Sequence, residues 1–263
     1  MISDRDRAMM ARAVQLAWRG RYSTHPNPRV GCVIAKGDLI VGEGWHERAG
    51  EAQAEVRALS QAGHEARGAT AYVTLEPCSH YGRTPPCARA LIDAGVAHVF
   101  AATKDPNPSV SGRGLDMLRE AGIRVTEGVM ADEAARLNPG FMKRMNTGRP
   151  WVRLKMAASL DGRTAMVSGE SQWITGPEAR ADVQRLRAIS DAILTGVGTV
   201  LADDPSLLAR GKRGGVQLRR VILDSKARTP LGAQVVSDGL EEHTTVVVVR
   251  GASAKRVAAL RRR

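Results

Sequence analysis

Two thiols and one carboxyl are the side chains of this sequence best suited to chemistry. Cys78 and Cys87 stand in the stretch TLEPCSHYGRTPPC, residues 74–87, directly behind the apolar run 71–75. A cysteine that only packs in a core needs neither a Glu-Pro lead-in nor a polar loop after it. Thiolates that hold a zinc ion do need a rigid and partly open frame. The third cysteine, Cys32, lies inside an apolar run and reads as a small core residue.

Zinc-dependent base deaminases pair a Pro-Cys…Cys element with an upstream His-x-Glu, whose Glu carries protons and does not bind the metal. Upstream here is Gln53-Ala54-Glu55. The glutamate is in place, and a glutamine stands where the pattern has histidine. An amide oxygen is a weaker zinc donor than an imidazole nitrogen. The expectation is a metal site that is weak or inactive.

Several elements must position these residues. An amphipathic helix is expected over 5–19, then the turn Thr24-His25-Pro26-Asn27-Pro28. Its prolines either aim Asn27 at a ligand or simply build a tight Asx-type turn. The runs 30–35 and 39–43, joined by Lys36-Gly37-Asp38, read as a hairpin. His46 follows in a loop seven residues before Gln53 and could reach the same pocket. Residues 52–62 form a short helix with Gln53 and Glu55 in its first turn, where free N–H groups favour anions. Strand 70–75, helix 86–94, strand 97–102, helix 113–121 and strand 123–126 continue an alternation that implies an α/β sandwich. Asp105-Pro-Asn-Pro108 is a rigid turn at a strand end.

Residues 127–150 change character. After a helix over 132–137, Asn138-Pro139-Gly140 and the 146–150 stretch mark a domain boundary, placed between residues 148 and 149. Beyond it, strands are expected at 151–157, 191–196, 219–224 and 244–249, the last two read as buried strands of a parallel sheet. Helices are expected over 177–189 and 253–263. Gly211 to Gly215 is glycine-rich and basic and reads as a solvated connection.

The bulk composition narrows the function. Hydrophobic residues at 43% and charged residues at 25% are those of a globular protein. Three cysteines make no disulfide framework, and the N-terminus carries Asp4, Arg5, Asp6 and Arg7 with no apolar leader, so a cytoplasmic protein is expected. The net charge of +12 is uneven: +3 over residues 1–145 and +9 over 146–263. That bias favours anionic ligands. Nucleic-acid binders usually add aromatic stacking platforms, and the second half holds only Trp151 and Trp173. Phosphorylated small molecules are therefore the favoured class, with plain solvated surface charge as the alternative.

Taken together, Pro26-Asn-Pro28, residues 74–87, Asp105-Pro-Asn-Pro108, Leu137-Asn-Pro-Gly-Phe141, Ser159-Leu-Asp-Gly-Arg163, Ser171-Gln-Trp-Ile-Thr175 and Asp224-Ser225 are specific. In them the chain closely resembles the bacterial bifunctional riboflavin-biosynthesis deaminase–reductases. The resemblance implies an α/β protein, a cytidine-deaminase-like α/β/α domain followed by a partial dihydrofolate-reductase-like α/β domain. It implies Zn2+ held by Cys78, Cys87 and Gln53, with Glu55 as the catalytic proton shuttle. It implies deamination of a diaminopyrimidinone carrying a ribosylamino phosphate, then NADPH-dependent reduction of the ribose to ribityl. Asn27, His46, His80 and Arg83 are candidates for binding the first substrate. For the second domain it implies substrate contacts at Ser171, Arg187, Leu207 and Arg210, and NADPH contacts at Ala157, Trp173, Thr199, Asp203 and Ser225. A homo-oligomer acting on small molecules is expected, with neither nucleic acid nor membrane as partner. The family continues beyond Arg263 with a Gly-rich loop and further strands, so the reductase half is expected to be incomplete. Two other readings compete: a nucleic-acid base deaminase, and a degenerate scaffold subunit that keeps the fold without the chemistry.

Overall fold

Ser3 and Asp6 start the first helix reciprocally. The Ser3 hydroxyl oxygen accepts the Asp6 N–H at 3.2 Å, and Asp6 Oδ2 accepts the Ser3 N–H at 2.9 Å, pairing donors that every helix start leaves open. Helix α1 (Asp4–Ala17) then buries Met10, Ala13, Leu16 and Ala17 along one stripe. The computed structural model describes residues 2–80, 85–108, 110–210 and 218–263. The chain divides into two compact units, Met1–Arg153 and Leu154–Arg263.

The first unit is built on a five-stranded sheet in the order β2-β1-β3-β4-β5. Strands β1 (Gly31–Lys36) and β2 (Leu39–Trp45) form the hairpin, and β3 (Thr70–Val73) pairs antiparallel with β1. Strands β4 (His98–Ala101) and β5 (Arg124–Glu127) add parallel to β3. Side chains alternate across each strand, so two cores form. Cys32, Ile34, Ala71, Val73 and Val99 face helices α2 (Ala54–Ala62), α3 (Cys87–Asp93) and α4 (Arg113–Glu120). Val33, Tyr72 and Phe100 face α1 and α5 (Ala131–Leu137). The result is the α/β sandwich that the alternation of elements implied, with helices on both faces as the resemblance implied.

One segment departs from expectation here. Residues 139–147, taken as part of an irregular boundary, form helix α6 (Pro139–Thr147). Pro139 occupies the first helical turn, where its missing N–H costs nothing. Asn138 is held in place by accepting the Arg29 N–H at 2.7 Å and donating to the Arg29 carbonyl at 2.8 Å.

The second unit holds a three-stranded parallel sheet, β6 (Ala192–Gly196), β7 (Arg219–Leu223) and β8 (Thr244–Val247), in that order. Helix α7 (Pro177–Ala188) precedes it and α9 (Ala254–Arg261) follows it. Helix α8 (Val197–Asp203), for which the sequence reading expected no helix, packs Val197 and Val200 with Leu207, Ile222 and Val235. Two expectations fail. Residues 151–157 form no strand, and Val152 and Leu154 are 79% and 81% exposed. A strand exists only where its backbone groups find a partner ladder, and among the described residues none lies beside this one. Strands β7 and β8 are likewise not buried on both faces: Leu223 and Val247 are exposed while Ile222 is buried. Among the described residues, the covered side is the one that meets α8 and the 233–236 turn.

Candidate active site

Helix α2 brings two of the predicted residues to one place. Gln53 is its N-cap residue, in extended backbone, and Glu55 is in its first turn. The loop after β3 delivers Cys78, and the start of α3 delivers Cys87. Cys87 donates its backbone N–H to Cys78 Sγ at 3.2 Å, and its Sγ–H to Gln53 Oε1 at 3.2 Å. Two sulfurs and one amide oxygen therefore converge. The two thiols are unequal. Hydrogen bonding from Cys87 brings the Cys78 pKa down to about 6, whereas the same contact, with burial, pushes the Cys87 thiol up.

Glu55 is 2% exposed, and among the described residues its Oε2 has no hydrogen-bond partner. Burial, with the Cys78 charge nearby, pushes its pKa up to about 7. A carboxyl so placed exchanges protons near neutral pH, which is what a general acid–base needs. Cys32 is fully buried in the same core and its pKa is raised by burial and by the Glu55 charge, as befits a packing residue.

Soft thiolates select zinc. Among the described residues no group of three or more His, Cys, Asp or Glu side chains could hold a metal ion, so the third donor available is the Gln53 amide oxygen. Cys78, Cys87 and Gln53 fit a zinc ion with a fourth position open, and Gln53 is the weakest of the three donors.

Around this centre, Asn27 and His46 come together. Asn27 Nδ2 lies 3.0 Å from His46 Nε2, and His46 Nδ1 lies 3.5 Å from the Ala52 carbonyl, next to Gln53. His46 is thus a buried residue bonded toward the start of α2, not a solvated loop residue, and burial lowers its pKa. His80 is exposed, within electrostatic reach of Cys78 and Asp105. Arg83 lies outside the described residues, as does the glycine-rich stretch 211–215.

In the second unit the candidates fall into three groups. Arg187 and Arg210 are neighbours: burial, with the Arg210 charge beside it, lowers the Arg187 pKa. Arg187 Nη1 donates to the Leu208 carbonyl at 3.1 Å, and the Arg210 N–H donates to Gln184 Oε1 at 3.0 Å. Leu207 is buried at φ +53° among core side chains, so only its backbone is available to a ligand. Thr199 and Asp203 are exposed on α8, and Ser225 follows β7, both at the carboxyl edge of the parallel sheet where ligands of α/β folds bind. Ala157, Ser171 and Trp173 lie in the irregular, turn-containing stretch before α7, and the Arg180 guanidinium stacks on the exposed Trp173 ring at 4.5 Å.

One residue escaped the sequence reading. Glu76 was seen only as half of a Glu-Pro lead-in, yet it is buried and accepts three backbone N–H groups from residues 105–114. The hint was a carboxyl immediately before the Pro-Cys pair; its partners are too remote in sequence to be inferred.

The fold and the site define a cytidine-deaminase-like domain followed by a dihydrofolate-reductase-like one. Residues 3–103 match the cytidine and deoxycytidylate deaminase zinc-binding region, and residues 150–261 match the RibD C-terminal domain. The chain is similar to the riboflavin biosynthesis protein RibD of Escherichia coli (strain K12), 60% identical over 241 residues, which span 92% of this chain and 65% of that protein. It thus spans slightly less than two thirds of that relative's length. Acinetobacter baumannii RibD, form 1, superposes with a TM-score of 0.90 at 54% identity, over 97% of this chain and 72% of that one. The Thermotoga maritima diaminohydroxyphosphoribosylaminopyrimidine deaminase/5-amino-6-(5-phosphoribosylamino)uracil reductase matches with a TM-score of 0.84 at 40% identity, over 95% and 71%. The chain belongs to the RibD family of riboflavin biosynthesis proteins.

Proposed function

We propose that residues 1–148 form a zinc-dependent deaminase of riboflavin biosynthesis, and that residues 149–263 belong to an NADPH-dependent reductase acting on its product. The observation that carries this reading is the buried Glu55 carboxyl, whose Oε2 has no hydrogen-bond partner among the described residues, beside the Cys78, Cys87 and Gln53 donors. The substrate is a diaminopyrimidinone bearing a phosphoribosylamino group, as the name of the Thermotoga maritima relative supports.

When bound to these donors, zinc supplies a Lewis acid that lowers the pKa of water to about 7. Glu55 takes up the proton of the attacking water and returns it to the departing amine nitrogen, which leaves as ammonia. A buried carboxyl whose pKa is raised toward neutrality is suited to accept and to return a proton. Asn27 and the neutral His46 hold the substrate ring, and His80 and Arg83 bind its polar substituents. In the second domain Arg187 and Arg210 bind the ribose phosphate as paired guanidinium groups, helped by Ser171 and the Leu207 backbone. Ala157, Trp173, Thr199, Asp203 and Ser225 hold NADPH. The +9 charge of residues 146–263 suits both anionic ligands. Among the described residues no helix is long and apolar enough to cross a membrane. We place the protein in the cytoplasm as a homo-oligomer that takes small molecules, not nucleic acid.

Zinc content per chain by elemental analysis, together with ammonia release from the pyrimidinone, tests the deaminase reading. About one zinc per chain with ammonia release supports it. A folded chain that holds no zinc and releases no ammonia overturns it and favours the scaffold reading, for which Gln53 is the supporting observation.

A further inference from the structure

Glu76 is 4% exposed, and both oxygens of its side chain are used. Oε2 accepts the Asp105 N–H at 3.1 Å and the Gly112 N–H at 2.9 Å, and Oε1 accepts the Gly114 N–H at 3.0 Å. Its own N–H donates to the Thr103 carbonyl at 2.9 Å. Gly112 is the N-cap of α4 and, having no side chain, supplies no cap of its own. The Glu76 carboxylate thus does from a distant segment what an N-cap side chain does locally, with its negative charge at the positive end of the helix.

The same junction is closed from the helix side. A Cβ added at Gly114 would stand 1.8 Å from the Pro77 carbonyl oxygen, so the first turn of α4 lies directly against the peptide that precedes Cys78. The Cys78 carbonyl in turn accepts the Ala88 N–H at 3.1 Å. Cys78 is therefore held between two helix starts, α4 through Glu76 and Pro77, and α3 through its own carbonyl and sulfur.

We propose that Glu76 is a positioning residue for the metal-ligating Cys78: its carboxylate ties the cysteine loop to the start of α4 and so fixes where the sulfur stands. The proposal rests on the zinc reading above. Metal sites tolerate ligand displacements of only about 0.2 Å, and loss of an outer partner typically weakens metal binding about 10- to 100-fold. Glu76→Gln keeps the size of the side chain but turns one acceptor oxygen into an NH2 that faces backbone N–H groups, so at least one of the three bonds is lost.

The experiment compares the whole chain with Glu76→Gln, loaded with zinc or with cobalt. Competition with a chromophoric chelator is expected to show about tenfold or greater loss of zinc affinity in the variant, and its cobalt–thiolate absorption is expected to shift. Circular dichroism checks that the variant is folded. A folded Glu76→Gln with unchanged zinc affinity and unchanged cobalt spectrum overturns the proposal. Amide hydrogen exchange at Cys87, Gly112 and Gly114 reads the same tie without metal and is expected to quicken. An unmodified chain that takes up neither metal overturns the zinc reading. In that case an unchanged Cys87 exchange rate in the variant overturns the positioning role, and a quickened one supports it. Should Glu76→Gln not fold, Glu76→Asp, which keeps the charge and shortens the reach, is read by the same measurements.

Discussion

The helix that carries Gln53 and Glu55 lies in backbone contact with the sheet, and this makes Gly44 a sensitive position. A Cβ built there would stand 2.2 Å from the Ala54 carbonyl oxygen and 2.7 Å from the Ala58 nitrogen, and one at Gly42 would stand 2.2 Å from the Ala58 carbonyl oxygen. The obstructing atoms are helix backbone, so no side-chain rotation relieves the clash. Restoring an ordinary contact of about 3.5 Å moves α2 away from β2 by about 1 Å. Overpacking of this kind costs about 1–3 kcal/mol, and each kcal/mol lowers the melting temperature of a chain this size by about 2–4 °C. The consequence for chemistry is larger, because a misplacement of about 1 Å in a catalytic group costs about 100-fold in rate. Gly44→Ala is therefore expected to melt several degrees lower and to lose most of its ammonia release, in parallel assays of thermal unfolding and deamination. Gly251→Ala, where nothing lies within 4 Å of the added Cβ, serves as the control and is expected to behave as the unmodified chain. A Gly44→Ala protein with unchanged melting temperature and unchanged activity would refute the claim that this close approach sets the position of Glu55.

The second unit has its own sensitive point in Arg220, which is fully buried in β7 and forms two bonds to Asp238, at 2.5 and 3.0 Å. Asp238→Ala leaves that charge without its counter-ion, and urea unfolding of the second unit is expected to show a loss of about 3–5 kcal/mol. Hydrogen bonding from Arg220 also holds the Asp238 carboxyl below its ordinary pKa of 3.8. Its contribution is therefore complete above that pH and is lost as the pH falls through the lower folded value; acid unfolding of Asp238→Ala is expected to lack this component. For His46 the base is buried, so its folded pKa lies below 6.5. Stability is complete above pH 6.5 and declines as the pH falls from there through the lowered value, a titration that NMR of the ring is expected to place on the acid side of an exposed histidine.

Much of the first unit was legible because its elements are short, periodic and separated by strong punctuation. Gly20, Gly63 and Gly95 mark helix ends, and Lys36-Gly37-Asp38 marks a hairpin whose register the structure gives as Lys36 opposite Leu39. Local chemistry also marked the Cys78–Cys87 loop. What stayed hidden depended on distant partners. Residues 151–157 have strand composition, yet a strand is defined by its neighbour, and composition does not reveal whether one exists. Pro139 looked like a breaker, whereas at the first turn of α6 a proline is tolerated. Arg220 lies in a run read as a buried strand, yet nothing in the sequence named the counter-ion that lets a guanidinium be buried there, because Asp238 lies beyond the strand. Glu76 is the same case within the site: three backbone donors from a segment some thirty residues later explain a carboxyl that the sequence left without a role.

These contacts confine the departure from the zinc-deaminase pattern to one donor. Cys78 is held by the segments on both sides, Cys87 begins a buried helix, and Glu55 rides on a helix seated against Gly42 and Gly44. The donor that departs from the zinc-deaminase pattern is Gln53, and α2 makes no use of its side chain, because this N-cap forms no side-chain capping bond. Its Oε1 is engaged by Cys87 Sγ alone among the contacts found at the site. Gln53→His thus removes nothing that the helix needs and supplies an imidazole nitrogen where an amide oxygen stood. If the frame is as intact as these contacts imply, this single substitution raises zinc affinity by at least about tenfold, the lower bound set by the loss of even an outer-sphere partner, and raises ammonia release with it. Chelator competition on the two proteins decides the matter. A gain in affinity without a gain in ammonia release would place the remaining defect in the substrate-binding residues. No gain in affinity would mean that the thiols, not Gln53, limit the site, and the reasoning from an intact frame would fail.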